Sequence, residues 1–561
     1  MALLVPGIGV AAAEHGGTPS SVHTVRSEAR ASDGTTHTIT NHLTEAARHG
    51  DRGEWLLVWA GDAAPGENGP DPDFLAVVGA TKGSPSYGKV VNTVTLDQTF
   101  ANEPHHMQYT WHKGDKVYAG GLFSDIVYVF DVAKLPVVTL SGITLAADTP
   151  CGSAPDAFSV LKDGTAYVSY MGGPDVAGPC RYTNGEVRDG NGFAGSPGEV
   201  VHIDAQGRVL REIPAALPTP EAATCHNVPA LPQPTCANPH GIGVREDLGR
   251  MVSADVFEAR NLLTGSPPPD GLIARDTVRF FDISDRSAPR LTSVTHLPDG
   301  PRPEPDARSD EPFAVMEVAL TNQARHRGAF ASTMNGAVYY TPDITAAQPV
   351  WREVFDDGTA FKSLFPQNTP TSGSDAGAWL AVSPDDRFLY HVVMKGGWNS
   401  PPGAAETGML YVLDIKALLA SGAAPQCSID EPAEVTGGGR EADCPRLADA
   451  EPMADSTSGG PHWAAMDNFT RGRDGHFRET TRISRIATSN YFVAPTGFDG
   501  DHKVCMTNVS PKGELTPDPS FRDDLGGRGC IDFDRTRWPH GERGGARPHG
   551  VLFAVADADL H

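Results

Sequence analysis

The sequence predicts an all-β fold, a seven-bladed β-propeller with long disulfide-tied loop insertions over one face. Three observations carry this. Apolar strands ending in aspartate recur along the chain, hairpins with tight polar turns recur beside them, and helical periodicity is nearly absent. Four-stranded units repeating with insertions between them mark a propeller, because no blade buries both of its faces alone. An array of β-sandwiches is the competing architecture.

Met1 to Ala13 is apolar and ends in Ala11-Ala12-Ala13, like the tail of an export signal without its positive start; a disordered start is the other reading. Residues 14–50 are polar, so residues 1–50 are expected to be an N-terminal segment of partial order, and residues 51–561 one propeller domain with insertions. Strands are expected at 54–59 and 74–78. The aspartate-ended strands lie at 127–132, 200–204, 278–283 and 410–415, and the hairpins at 159–169, 243–253 and 381–390. Residues 414–420 form the one short helix candidate. Insertions are expected at 172–198, 213–238, 258–275, 300–312, 416–460 and 506–546, all rich in Gly, Pro or charge.

Composition bounds the partners. With 61 glycines and 47 prolines, turns are frequent. The 70 acidic and 45 basic residues give a net charge of -25, a surface that repels phosphate backbones and excludes nucleic acid as a partner. No run approaches the roughly 18 apolar residues of a membrane span. Eight cysteines fall in local pairs, Cys151 with Cys180, Cys225 with Cys236, Cys427 with Cys444 and Cys505 with Cys530. None sits in a C-x-x-C, so the pattern points to disulfides closing long loops in an oxidising compartment, secreted or periplasmic. Buried free thiols are the alternative.

Four times in the chain a proline is followed at once by histidine: Pro104-His105-His106, Pro239-His240, Pro461-His462 and Pro548-His549. Proline suits a loop entering a strand, so each histidine opens an element on a short tether. One such pair is an ordinary turn; four at matching blade positions can converge on the propeller axis as a metal site. Imidazole nitrogen suits copper, iron, zinc or nickel, and His105, His106, His240, His462 and His549 are the candidate ligands. Matching places in other blades hold Asp156, Glu317 and Asp375, which are candidates to orient the imidazoles or to act as base. His112, His202, His226 and His391 read as surface or strand residues. Trp111, Phe158 and Trp463 fit either a pocket wall or core packing. There is no G-x-S-x-G, P-loop or dinucleotide fingerprint.

Several stretches resemble the selenium-binding protein / methanethiol oxidase family. Residues 80–91, with Ser84-Pro85-Ser86-Tyr87-Gly88-Lys89-Val90, are similar to its SPxYGxV segment, and Glu103-Pro104-His105-His106 to its ELHH. Residues 126–132, Met316-Glu317-Val318, residues 383–390, Gly459-Gly460-Pro461 and Pro548-His549-Gly550 continue the likeness in order. The resemblance implies a seven-bladed propeller and a copper-dependent periplasmic oxidase that turns a small thiol and oxygen into an aldehyde, sulfide and hydrogen peroxide. It departs at His240 and His462, where the oxidases usually carry other residues, at Asp156, where they favour histidine, and in lacking their N-terminal cysteine. The expected centre is therefore copper held by His106, His240, His462 and His549, with His105 beside it and Glu317 or Asp156 taking a proton. The alternatives are an iron(II) oxygenase cleaving an alkene, or a propeller that binds metal or a small molecule without catalysis.

Overall fold

A computed structural model describes residues 23–48, 53–63, 71–97, 102–221, 223–225, 231–260, 273–302, 311–364, 377–394, 408–453, 460–493 and 499–561. Seven antiparallel sheets follow one another around an axis, each opened by an inner strand that packs beside the inner strands of its neighbours. In chain order the inner strands of the first six blades are Pro104–Met107, Ser153–Val160, Pro239–Arg245, Val315–Leu320, Gly377–Val382 and Trp463–Met466. The seventh, closing blade takes its inner strand from Ala546–Val555 and its next three from Glu54–Asp62, Phe74–Gly79 and Val90–Leu96. The two ends of the chain therefore pair in one sheet. Arg485 of the sixth blade locks this seam, reaching Glu54 Oε2 and Asp467 Oδ2 at 2.7 Å each.

The aspartate-ended stretches are the third strands of their blades, and the three recurring hairpins are first-to-second strand pairs. Second strands such as Ala166–Gly172 and Phe388–Val393 are buried at every position because both faces of a blade pack on neighbours. That is why they read as largely apolar runs rather than alternating ones. Among the described residues, helix is confined to short pieces, one at Lys416–Ala420 as expected and others at Asp357–Leu364 and Pro432–Val435.

All four cysteine pairs are disulfides. Two of the expectations are corrected. The insertions do not share one face: strand direction alternates in a meander, so the segment between Gly408–Asp414 and Arg446–Met453, tied by Cys427–Cys444, lies at the end opposite the Pro-His positions. The boundary at residue 50 also moves, because strands His23–Arg30 and Thr36–Leu43 extend the closing blade outward. As the outermost two strands of the blade, with His23–Arg30 at its edge, they need only one buried face, and the alternating burial of Thr36–Leu43 is how a polar sequence meets that need. Met1 to Ala13 lies outside the described residues. Among the described residues, no helix is long and apolar enough to cross a membrane.

Candidate metal centre in the central channel

A β-bulge interrupts pairing near the start of six inner strands. The register shifts between Pro104 and Met107, Pro155 and Phe158, Pro239 and Ile242, Val315 and Glu317, and Gly377 and Leu380, and opposite Trp59/Ala60 in the closing blade, where His549 is skipped. A bulge frees residues from the ladder and re-aims their side chains. His105, His106, Asp156, His240 and His549 are the residues so released. Glu103 and Ala154 precede two of these prolines in left-handed conformation, at φ 47° and 58°, turning the chain inward. A serine on the second strand then fixes the next blade's entry: Ser169 Oγ donates to His240 O, and Ser489 Oγ to His549 O.

Six blades thus contribute to one buried cluster, in which His105, His106, Asp156, His240, Glu317, His462 and His549 are 0–2% exposed. His106 Nε2 lies 2.9 Å from His462 Nε2, and its Nδ1 lies 3.0 Å from Asp156 Oδ1. His105 Nε2 is 2.9 Å from the same carboxylate oxygen. The rings of His105 and His549 are 4.1 Å apart. His240 Nδ1 sits 2.8 Å from Met316 O, 3.3 Å from Asp156 Oδ2 and 3.4 Å from Glu317 Oε1. A carbonyl oxygen only accepts, so Nδ1 carries the proton and Nε2 is the nitrogen left for a ligand.

The donors fall into two overlapping sets. His105, His106, His462 and His549 can each offer an atom within 4.8 Å of the others, and so can His105, His106, Asp156 and His240. The expected quartet is therefore regrouped: His105 stands with His106, His462 and His549, whereas His240 stands with Asp156. The reason is position in the ring. His462 and His549 belong to the sixth and closing blades, next to the first, while His240 is on the third, beyond Asp156 on the second. Asp375 lies outside the described residues. Both nitrogens of His549, Nδ1 of His105, His106 and His462, and both oxygens of Asp156 are buried without a hydrogen-bond partner.

Burial pushes the His106 imidazole down to about 3 and those of His462 and His549 well below the ordinary range, the neighbouring histidines adding to the effect for the latter two. Neutral imidazoles with free lone pairs are what a metal requires. His240 differs: burial works against its charge, but Asp156 and Glu317 hold it up to about 9. Burial likewise opposes ionisation of Asp156, yet His106 and His240 keep its carboxyl well below the usual range. Glu317 is raised, chiefly by burial.

Trp463 stacks on His106 at 4.0 Å, while Trp111 and Phe158 pack in the core. Tyr109 was missed by sequence reasoning although it lies in the His-His segment; its hydroxyl donates to Glu317 Oε2, and its ring is 5.0 Å from Trp463. His202 stacks on Tyr167 and His112 pairs with Glu479 at the surface, as expected for bystanders; His391 bonds Asp357 in the interior, and His226 lies outside the described residues. A surface cleft of about 440 Å³ between the fifth and sixth blades, lined by Ser383, Arg387, Phe388 and Thr470 among others, contains none of the channel donors. The convergent unpaired donors lie with the histidines instead.

No family model matches the chain, and no curated protein does. Among solved structures it is similar to a hypothetical selenium-binding protein from Sulfolobus tokodaii, with TM-score 0.55 and 13% identity over 90% of this chain and 94% of that one. A periplasmic gluconolactonase of Pseudomonas aeruginosa matches at TM-score 0.45 and 12% identity, covering 90% of this chain and 99% of its own. At such identities the first likeness establishes the propeller, and the second carries no argument.

Proposed function

We propose that the chain is an oxidase that acts on a small molecule, a thiol foremost, with oxygen as acceptor, at a copper ion held by His105, His106, His462 and His549. The reading rests on one observation above the rest, the buried imidazoles of three adjacent blades, each with at least one nitrogen that has no hydrogen-bond partner. A neutral all-nitrogen donor set suits copper, which supplies Lewis acidity and a one-electron couple. The likeness of the Glu103–His106 segment to the methanethiol oxidases supports the substrate class, and four disulfides fit a secreted or periplasmic setting.

The chain's own residues handle the proton and the water. Glu317 Oε1 has no hydrogen-bond partner and lies 3.4 Å from His240 Nδ1, while Tyr109 holds Oε2. Glu317 thus has one oxygen open to take a thiol proton, and His240 stabilises the resulting charge balance. Asp156 orients the His105 and His106 rings by its contacts at 2.9 and 3.0 Å. Trp463 and Phe492 cover His106 and His462 with apolar rings, excluding water from the donors. A primary thiol, dioxygen and water together yield the aldehyde, hydrogen sulfide and hydrogen peroxide in equal amounts, which balances atoms and electrons.

Elemental mass spectrometry of protein purified without affinity-tag metals tests the centre, beside thiol-dependent oxygen uptake and peroxide assay. Copper in the wild type, its content reduced in His549→Ala and His462→Ala and the uptake lost with it, is the expected result. Iron in its place moves the reading to oxygenative cleavage. Because the donors are almost fully enclosed, metal without thiol-dependent uptake selects a non-catalytic metal-binding propeller instead.

A further inference from the structure

The four-histidine set leaves two of the six clustered donors, Asp156 and His240, unused. Asp156 is fully buried, and both of its oxygens lack a hydrogen-bond partner, although three imidazoles stand 2.9 to 3.3 Å from them. His240 has Nδ1 committed to the Met316 carbonyl, the arrangement that leaves Nε2 to a metal. The two donor sets share only the first blade: one spans the sixth, closing and first blades, the other the first, second and third. His106 directs different nitrogens at the two, Nε2 toward His462 and Nδ1 toward Asp156. Two atoms bound to one ion at about 2.1 Å stand no more than roughly 4.2 Å apart, so a wide arc of donors calls for more than one ion position.

We propose that the channel holds a second divalent transition-metal ion, taken by Asp156 and His240, with His105 and His106 between it and the first. The proposal rests on the four-histidine reading, and its test separates the two. The second position has a carboxylate where the first has only imidazole, so it tolerates a harder ion and the two positions differ in affinity. Glu317, 3.4 Å from His240 Nδ1 and tied to Tyr109, stays outside the ligand set and orients His240.

The test uses the full chain, stripped with a chelator, reloaded with copper(II) and freed of excess ion by gel filtration. About two ions per chain are expected from the two donor sets. Asp156→Asn and His240→Gln each drop to about one ion, whose paramagnetic resonance signal remains nitrogen-rich, whereas His462→Gln/His549→Gln retains about one in a more oxygen-containing environment. Adding the second equivalent to the wild type is expected to broaden or quench the signal of the first, because the ions lie close together. The conservative Asp156→Glu restores the second equivalent, separating loss of a ligand from failure to fold; circular dichroism of every variant checks the latter. One ion per chain that disappears in His462→Gln/His549→Gln and is untouched by Asp156→Asn overturns the second position while leaving the first. No ion in any form overturns both.

Discussion

At the residue scale, the proposed function depends on the few buried side chains gathered near the starts of the inner strands. Glu317 is the one open to a direct kinetic test. Its loss as proton acceptor in Glu317→Gln is expected to lower turnover by about 10²–10⁴-fold, the usual range for a general base, with copper content unchanged. Oxygen-uptake kinetics beside metal analysis check it; an unchanged rate would remove Glu317 from the mechanism. The histidines were legible in the sequence because proline marks each of them locally, and Asp156 for the same reason, following Pro155. Tyr109 was not. No local signal distinguishes a tyrosine just beyond a strand, and its partner Glu317 is 208 residues away. The grouping of His240 with Asp156 also escaped, since it depends on the order of blades around a closed ring, which no local pattern encodes.

Among the elements, the insertion at 213–238 illustrates how a loop positions a ligand. Arg279 is fully buried and holds Asp255 Oδ2 at 2.6 Å and Glu221 Oε2 at 2.9 Å, and Arg275 holds Asn238 Oδ1 at 2.9 Å. Asn238 N in turn donates to Asp255 Oδ1 at 2.8 Å, fixing the residue that leads into Pro239-His240. Removing one member of a buried charged network strands the others, so Arg279→Ala is expected to cost about 3–5 kcal/mol in urea denaturation. Loss of less than about 1 kcal/mol would mean that water replaces the guanidinium freely. The strand repeats were readable here, and so was the cysteine pairing, because both are local. The polar strands His23–Arg30 and Thr36–Leu43 were not, since strands at the outer end of a blade can expose one face and lose the apolar run that marks a central one.

The whole molecule carries opposing titrations. Burial raises Glu103 and Glu212 to about 7 and Asp125 to about 9. Each is neutral in the fold while its unfolded counterpart ionises near pH 4, so the stability it contributes is present below that value and is lost as pH rises toward the folded one. Burial also depresses His106 and His540 to about 3 and His202 to about 4. These are neutral in the fold while the unfolded chain takes protons below about pH 6.5, so stability falls as pH drops through that range. The two slopes cancel between, and the metal-free chain is expected to be most stable at roughly pH 5–6.5, declining on both sides. Denaturant midpoints from pH 4 to 9 measure this; a midpoint still rising at pH 8 would contradict it.

The closing blade has a consequence for when the four-histidine set is complete. His549 lies on Ala546–Val555, which pairs with Glu54–Asp62 only after the ribosome has made nearly all of this chain. Until then the ring is open and the four-histidine set lacks a member. A nascent product that stops short of Ala546–Val555 therefore cannot assemble this set, so acquisition of metal by it reports that synthesis has passed that strand.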